Sequence, residues 1–253
     1  MYFWILGALQ IILALRVVLR LARSAGGVRI EAAAAPRSER VSIIVPVLNE
    51  TARIKDCLEC LIAQPEVLAE ILVVDGGSTD GTQSIVERYG SRDRRVRLID
   101  ASPVPCNWTG KAWGLYVGLE KTDPRSNWVL CIDADVRCSP LLVSSLLAHA
   151  EGTGISTFSV ATRQQLSSLA EALLHPSLLT TLVYRFGIPG KATRNRHRVQ
   201  ANGQCFISPR ETLLKNDAFR AAQLSLCEDV TIARRLRNAA RPSVFTKVTD
   251  WFG

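Results

Sequence analysis

Between Ala172 and Arg210 the chain carries no acidic residue, while Arg185, Lys191, Arg194, Arg196, Arg198 and Arg210 all fall there. A stretch of one sign suits an anionic partner, either a nucleoside diphosphate or an anionic lipid surface; a solvated basic loop is the plainer alternative. Nucleic acid is disfavoured, because no aromatic platform is interleaved with these cations and single strands bind by stacking on such rings. No G-x-G-x-x-G follows the first apolar strand, which argues against a dinucleotide-dependent oxidoreductase. Repeats and disorder-prone tracts are missing too. Cys57 and Cys60 form a lone C-x-x-C with no second pair or His pair beside it, so they mark one face of a helix rather than a zinc or redox centre. With seven cysteines, an odd number scattered through apolar stretches, the pattern indicates reduced thiols in a cytosolic compartment.

What is present is enough for one substantial core. The chain has 253 residues, of which 47% are hydrophobic and 21% charged, with a net charge of +8. That length and balance predict one α/β domain with a short appendage, leaning toward membrane association.

The appendage is residues 1–22, an apolar helix with Tyr2, Phe3 and Trp4 at its outer end. Its uninterrupted apolar run is short for a span, but Arg16 and Arg20 can snorkel. Arg16, Arg20 and Arg23 share a helical face, which makes a helix lying in the interface the competing arrangement. If the helix spans, the arginines after it place the rest on the cytoplasmic side. The Ala-rich EAAAAP at 31–36 keeps a cleaved signal peptide as an alternative. Residues 23–40 read as a linker, and the globular domain occupies 41–253.

Within the domain, VSIIVPVLNE (41–50, its β-branched run stopped by Pro46), EILVVD (70–75), VRLID (96–100) and WVLCI (128–132) contain short, nearly continuous apolar runs. These alternate with helical patterns at 52–63, 83–89 and 140–150 and with NWTGKAWGL (107–115), which opens a further helix. A run buried on both faces belongs to a parallel sheet covered by helices on both sides. Further strands are expected near 154–160 and over 199–207. A leucine-rich helix over 164–186, broken at His175-Pro176, is either buried or laid on a bilayer surface. A last helix covers 225–237, with Thr79 or Asp80 the expected N-cap of the helix at 83–89.

The strand at 128–132 ends in Asp133-Ala134-Asp135. Side chains at i and i+2 of an extended segment point the same way, so both carboxylates can meet one divalent cation just past the strand's carboxyl end. D-x-D alone arises easily by chance among eleven aspartates, and an acidic turn is the plain alternative. Position raises its weight, since ligands of open α/β sheets bind outside the carboxyl ends of strands. Glu228 and Asp229 open the last helix, where acidic residues also serve simply as dipole partners.

Taken in order, SIIVPVLNE, VVDGGSTDGT, GKAWGL, CIDADV, NGQCFISPR and CEDVTIARRLR resemble the family 2 glycosyltransferases. The likeness runs from about Val41 to Arg237. NWTGKAWGL and the N-terminal apolar helix resemble the family's membrane-bound branch that glycosylates lipids. That branch includes ceramide- and hopanoid-type enzymes and carotenoid glycosyltransferases such as the cyanobacterial 2'-O type. The resemblance implies a GT-A fold, Rossmann-like and mostly parallel. It also implies an inverting transfer from a UDP- or GDP-sugar to a lipid-like, most plausibly carotenoid, hydroxyl. Pro46, Asn49, Glu50 and Asp75 would line the nucleotide pocket, with Asp75 on the uracil or ribose, and Lys111 would face the phosphates. Asp133 and Asp135 would hold Mg²⁺ or Mn²⁺. Asp229 would be the general base, oriented by Glu228, with Asn202, Gly203 and Gln204 under the sugar or acceptor.

Three departures accompany the likeness. Gly76 stands where many relatives have a second acidic residue. No Q/R-x-x-R-W motif or further membrane helix follows the last helix, and RPSVFTKVTDWFG does not read like the family's continuation. The chain therefore reads as C-terminally truncated, and a nucleotide-sugar binder without turnover is the alternative to an active enzyme.

Overall fold

A computed structural model describes residues 2–25, 30–33, 38–64, 67–161, 168–171, 174, 177, 180–181, 199, 201–237 and 244–247. Seven strands form one sheet: β1 (Val41–Val47), β2 (Leu68–Asp75), β3 (Val96–Asp100), β4 (Trp128–Ile132), β5 (Phe158–Ala161), β6 (Cys205–Pro209) and β7 (Val244–Lys247). Their spatial order is β3-β2-β1-β4-β6-β5-β7. The first four run parallel, as the apolar runs predict. The sheet is mostly parallel as expected, and β6 is the one strand of the seven that runs the other way. β6 lies antiparallel to β4 and to β5, and β7 pairs parallel with β5.

The strands alternate cleanly between two cores. Ile43, Val45, Ile71, Val73, Leu130, Ile132 and Ile207 pack on one face, against α2 (Ile54–Ile62) and α5 (Leu142–Thr153). Ile44, Leu72, Val74, Val129, Cys131 and Phe206 pack on the other, against α4 (Gly110–Lys121) and α7 (Glu228–Arg237). Period-two side chains buried on both faces leave few polar positions, Ser42 and Ser208 among them, which is why these strands read as nearly continuous apolar runs. α4 lies close on β1 because Gly118 has no side chain: a Cβ there would sit 2.5 Å from Ile44 Cγ2. α3 (Thr82–Gly90) packs against β3 and α2. Its N-cap is Gly81, in a left-handed conformation, rather than the expected Thr79 or Asp80; Asp80, one residue earlier, accepts the Thr82 N–H at 3.0 Å.

α1 (Tyr2–Ala25) is long and apolar enough to cross a membrane over Tyr2–Leu19, and none of that window is buried inside the protein. The segment that follows is more than a linker. Ile30 is buried in the core, and Ala33 N–H donates to Ser145 Oγ at 3.0 Å. α6 (Arg210–Lys215) follows β6, and a 3₁₀ turn at Arg220–Ala222 precedes α7. Of the expected leucine-rich helix at 164–186, Leu166, Leu173, Leu178, Leu179 and Leu182 lie outside the described residues. Leu169 and Leu174 are exposed. The basic cluster from Arg185 to Arg198 also lies outside them, whereas Arg210 is described and donates to Thr122 Oγ1 at 2.8 Å.

Candidate active site

Parallel pairing decides where the site can be. Val47 aligns with Asp75 and Asp75 with Asp100, so the loops leaving β1, β2, β3 and β4 all emerge at one edge of the sheet. β6 runs the other way, so the turn before it, Asn202–Gln204, arrives at that same edge opposite Ile132. Asp133 N–H donates to Gln204 O at 3.2 Å, carrying the β4–β6 pairing one residue beyond the strands. An open cleft of about 270 Å³ lies there, walled by Pro46, Glu50, Gly76, Lys111, Asp133 and Asp135 among others.

Lys111 is the centre of this cleft. It is the second residue of α4, whose amino end faces the opening. Its Nζ lies 2.6 Å from Asp133 Oδ1 and 3.0 Å from Glu228 Oε1, which places β4, α4 and α7 around one charge. Burial pulls the ammonium pKa down, and the two carboxylates push it up by more, so it stays protonated above the ordinary lysine range. Burial raises the Asp133 pKa; Lys111 opposes this, and Asp135 and Glu228 reinforce it. Asp229, beside Glu228, also has its pKa raised by burial and by the Glu228 charge, while its Oδ1 accepts the Val230 N–H at 2.7 Å. A carboxylate shifted toward neutrality is a stronger proton acceptor, which suits general-base work.

Gly203 makes the cluster possible. A Cβ on it would lie 2.9 Å from Lys111 Nζ, 3.1 Å from Glu228 Oε1 and 3.5 Å from Asp229 Cβ. Its neighbours Asn202 and Gln204 close the turn on themselves. Asn202 Oδ1 accepts the Gln204 N–H at 2.9 Å, and Asn202 Nδ2 donates to Gln204 Oε1 at 3.1 Å.

Two expected cleft residues face elsewhere. Asp75 is fully buried, and its carboxylate is taken up inside its own loop. Oδ2 accepts the Gly77 N–H, the Ser78 N–H and Gln83 Nε2 at 3.1, 3.0 and 2.6 Å, and Oδ1 accepts the Ser78 hydroxyl. It shapes the β2–α3 loop from beneath, and Gly76 is the residue that reaches the wall. Asn49, in a left-handed backbone conformation with φ 58°, turns its Oδ1 to the Thr79 N–H at 2.9 Å and so locks the same loop. Asparagine tolerates that conformation better than most residues.

Glu50 does line the cleft. Its Oε2 is buried without a hydrogen-bond partner, held only by the charge of Arg53 Nε at 2.9 Å. Arg53 also stands 4.0 Å from Asp135 Oδ2. Arg53 is not among the residues expected at the site, although its place three residues after Glu50 at the mouth of α2 is a usable signal. Val104 and Leu48, also in the wall, carry no chemical signature and could not be found from sequence.

The donor set suits a hard divalent cation in part. Among the described residues no group of three or more metal-ligating side chains comes together. Asp133 and Asp135 offer two carboxylates at an open wall, which fits Mg²⁺ or Mn²⁺ if diphosphate oxygens and water complete the coordination. Such a cation would share Asp133 with Lys111.

A model of the family described as glycosyl transferase family 2 matches residues 42–220. Glycosyltransferase GlyG of Streptococcus pneumoniae is 29% identical over 98 residues, 39% of this chain and 31% of that protein. The 4,4'-diaponeurosporenoate glycosyltransferase of Staphylococcus aureus is 33% identical over 96 residues, 38% of this chain and 24% of that protein. The structure of a mannosyltransferase from Pyrobaculum calidifontis, in complex with GDP-Man and Mn²⁺, superposes with a TM-score of 0.63 at 21% identity, over 94% of this chain and 61% of that one. The chain thus spans about a quarter to a third of the length of these curated relatives. The fold is GT-A, with a mixed rather than purely parallel sheet. The chain belongs to glycosyl transferase family 2.

Proposed function

We propose that this family 2 glycosyltransferase moves a sugar from a nucleoside-diphosphate donor to the hydroxyl of a lipid-like acceptor, with inversion at the anomeric carbon. The observation that carries the reading is the ammonium of Lys111 set between Asp133 and Glu228 at 2.6 and 3.0 Å, in a cleft at the carboxyl edge of the parallel strands. A fixed cation and a helix amino terminus stabilise a diphosphate leaving group, and an adjacent carboxylate pair would contribute by carrying a divalent cation.

Pro46 and Glu50 form the nucleoside side, and the Glu50 carboxylate, whose Oε2 is ion-paired with Arg53 but accepts no hydrogen bond, is an acceptor suited to a ribose hydroxyl or a base N–H. Lys111 binds diphosphate oxygens. Asp133 and Asp135 hold Mg²⁺ or Mn²⁺, which when bound neutralises charge on the departing nucleoside diphosphate. Asp229 accepts the proton of the acceptor hydroxyl as that oxygen attacks, and Glu228 keeps Lys111 in place. Asn202, Gly203 and Gln204 lie under the transferred sugar.

The membrane-facing and lipid parts of the reading are supported by α1, whose apolar surface is outside the core. The S. aureus relative's name supports a carotenoid as the acceptor class. The domain boundaries follow the same reading: residues 1–22 at the membrane, and 41–253 as a domain on its cytoplasmic side.

The test is donor turnover by the full chain in detergent with UDP- and GDP-sugars, with a carotenoid alcohol as acceptor and Mn²⁺ present or chelated. Metal-dependent release of nucleoside diphosphate that rises with acceptor supports the reading. Donor binding with no release under any of these conditions would reduce the chain to a nucleotide-sugar binder.

A further inference from the structure

Behind the Asp133–Asp135 loop, away from the cleft, two thiols that the glycosyl-transfer reading does not use meet each other. Cys60, on α2, and Cys138, three residues past Asp135, have their sulfurs 2.9 Å apart. The approach is built from both sides. Cys138 N–H donates to Cys60 Sγ at 3.1 Å, and Gln64 Nε2 reaches Cys138 Sγ at 3.6 Å and Ser139 O at 2.7 Å. Gln64 is 3% exposed, and its Oε1 accepts the Val143 N–H at 3.0 Å, so one buried side chain fixes the segment after the loop to the end of α2.

We infer that Cys60 and Cys138 form a thiol–disulfide exchange site that closes an intramolecular disulfide when it meets a low-molecular-weight disulfide of the glutathione type. Bond length is no obstacle: sulfurs at 2.9 Å are within about 1 Å of the disulfide distance of roughly 2.05 Å. The step balances. Cys60 thiolate attacks one sulfur of the small disulfide, forming a mixed disulfide and expelling one thiolate. Cys138 then gives up its proton and attacks Cys60 Sγ, expelling the second thiolate. The protein loses two electrons and two protons, and the small disulfide takes them as two thiols.

The two cysteines are unequal in the way such a pair needs. Hydrogen bonds from the Cys138 thiol and backbone N–H hold the Cys60 pKa below the ordinary thiol value against the opposing effect of burial. The Cys138 thiol is pushed up, first by that same hydrogen bond and then by burial. Cys60 is therefore the attacking sulfur and Cys138 the resolving one. Both are half-buried, and the exposed ion pair of Arg137 with Asp56 beside them puts the pair near the surface. Cys57, the other half of the C-x-x-C, takes no part: it is fully buried and its thiol is pushed well up by that burial. The closed bond would pin the chain just after Asp135 to α2.

The experiment uses the full chain in detergent, equilibrated in mixtures of reduced and oxidised glutathione, quenched with acid and alkylator, and mapped by peptide mass. The expected product is a Cys60–Cys138 cross-link whose yield rises with the oxidised fraction. Cys138→Ser should stop at one glutathione on Cys60, and Cys60→Ser should leave Cys138 unmodified. Because the wild-type cross-link is read directly, the test does not depend on either variant folding. Modification confined to the exposed Cys106 and Cys227, with Cys60 and Cys138 still free thiols, would overturn the inference.

Discussion

Lys111 Nζ sits 2.6 Å from Asp133 Oδ1, so the first aspartate of the D-x-D already has a cation of the protein's own. Removing that charge leaves Asp133 and Glu228 facing each other across a partly buried space. Lys111→Met should cost about 2 kcal/mol of stability, the scale of a lost hydrogen bond to a charged group. It should also raise the pKa of Asp133 further. Thermal melts at neutral pH check the first, and a shift of the metal-binding pH midpoint to higher pH checks the second. A melt unchanged from wild type would mean the pair is a surface contact of little consequence.

Asp229→Asn separates binding from chemistry. As the proton acceptor, Asp229 should account for about 10²- to 10⁴-fold in transfer, the usual range for general-base catalysis, with nucleoside diphosphate binding kept. A second readout follows from its raised pKa. The folded state holds this proton more tightly than the unfolded chain, so ionising the group opposes folding as pH rises from the unfolded value through the folded one. Asparagine removes that penalty. The variant should be at least as stable as wild type at neutral pH, and the advantage should vanish at pH below the unfolded carboxyl value of about 3.9. A variant less stable than wild type at pH 7 would contradict the raised pKa.

Gly203→Ala places a methyl 2.9 Å from Lys111 Nζ, the far end of a flexible side chain. Lys111 must swing away from Asp133, so the fold should lose up to the same ~2 kcal/mol as in Lys111→Met. We expect nucleoside diphosphate affinity of the folded protein reduced roughly tenfold, the equivalent of about 1.4 kcal/mol. Equal affinity in the two proteins would show that the turn at 202–204 does not set the lysine's position.

Gly118→Ala should act on stability alone. Its methyl meets Ile44 Cγ2 at 2.5 Å and Val74 Cγ2 at 3.1 Å, inside a packed sheet–helix contact. Overpacking of this kind costs roughly 1–3 kcal/mol. Denaturant unfolding should show the loss, and nucleoside diphosphate binding by the folded fraction should be near wild type.

Much of this arrangement was legible in the sequence because it follows from local rules. The parallel half of the sheet shows in Ile43–Val45, Ile71–Val74 and Val129–Ile132, where both faces must be apolar. Asp133 and Asp135 could be placed at a strand end from their i, i+2 spacing, and Lys111 at the mouth of a helix from the residues around it. Asp75 could not be oriented this way. It ends β2 as expected, but its direction is set by three backbone and side-chain donors of the following loop and by Gln83, contacts that exist only once the loop has closed. Strand direction in β5, β6 and β7 is likewise absent from the apolar pattern, and four residues of β7 are too few to announce a strand. The meeting of Cys60 with Cys138 spans 78 positions of sequence and depends on how α2 packs beside the loop after β4.

The most direct test of the account is calorimetric titration of the full chain in detergent with UDP and with GDP, each with Mn²⁺ and with chelator, alongside Asp135→Ala. Asp135 offers its carboxylate at the cleft wall, with Arg53 4.0 Å away. The account predicts binding of at least one nucleotide that strengthens tenfold or more with Mn²⁺ in the wild type, and no such strengthening in the variant. Binding of neither nucleotide, or equal Mn²⁺ enhancement in both proteins, would contradict it.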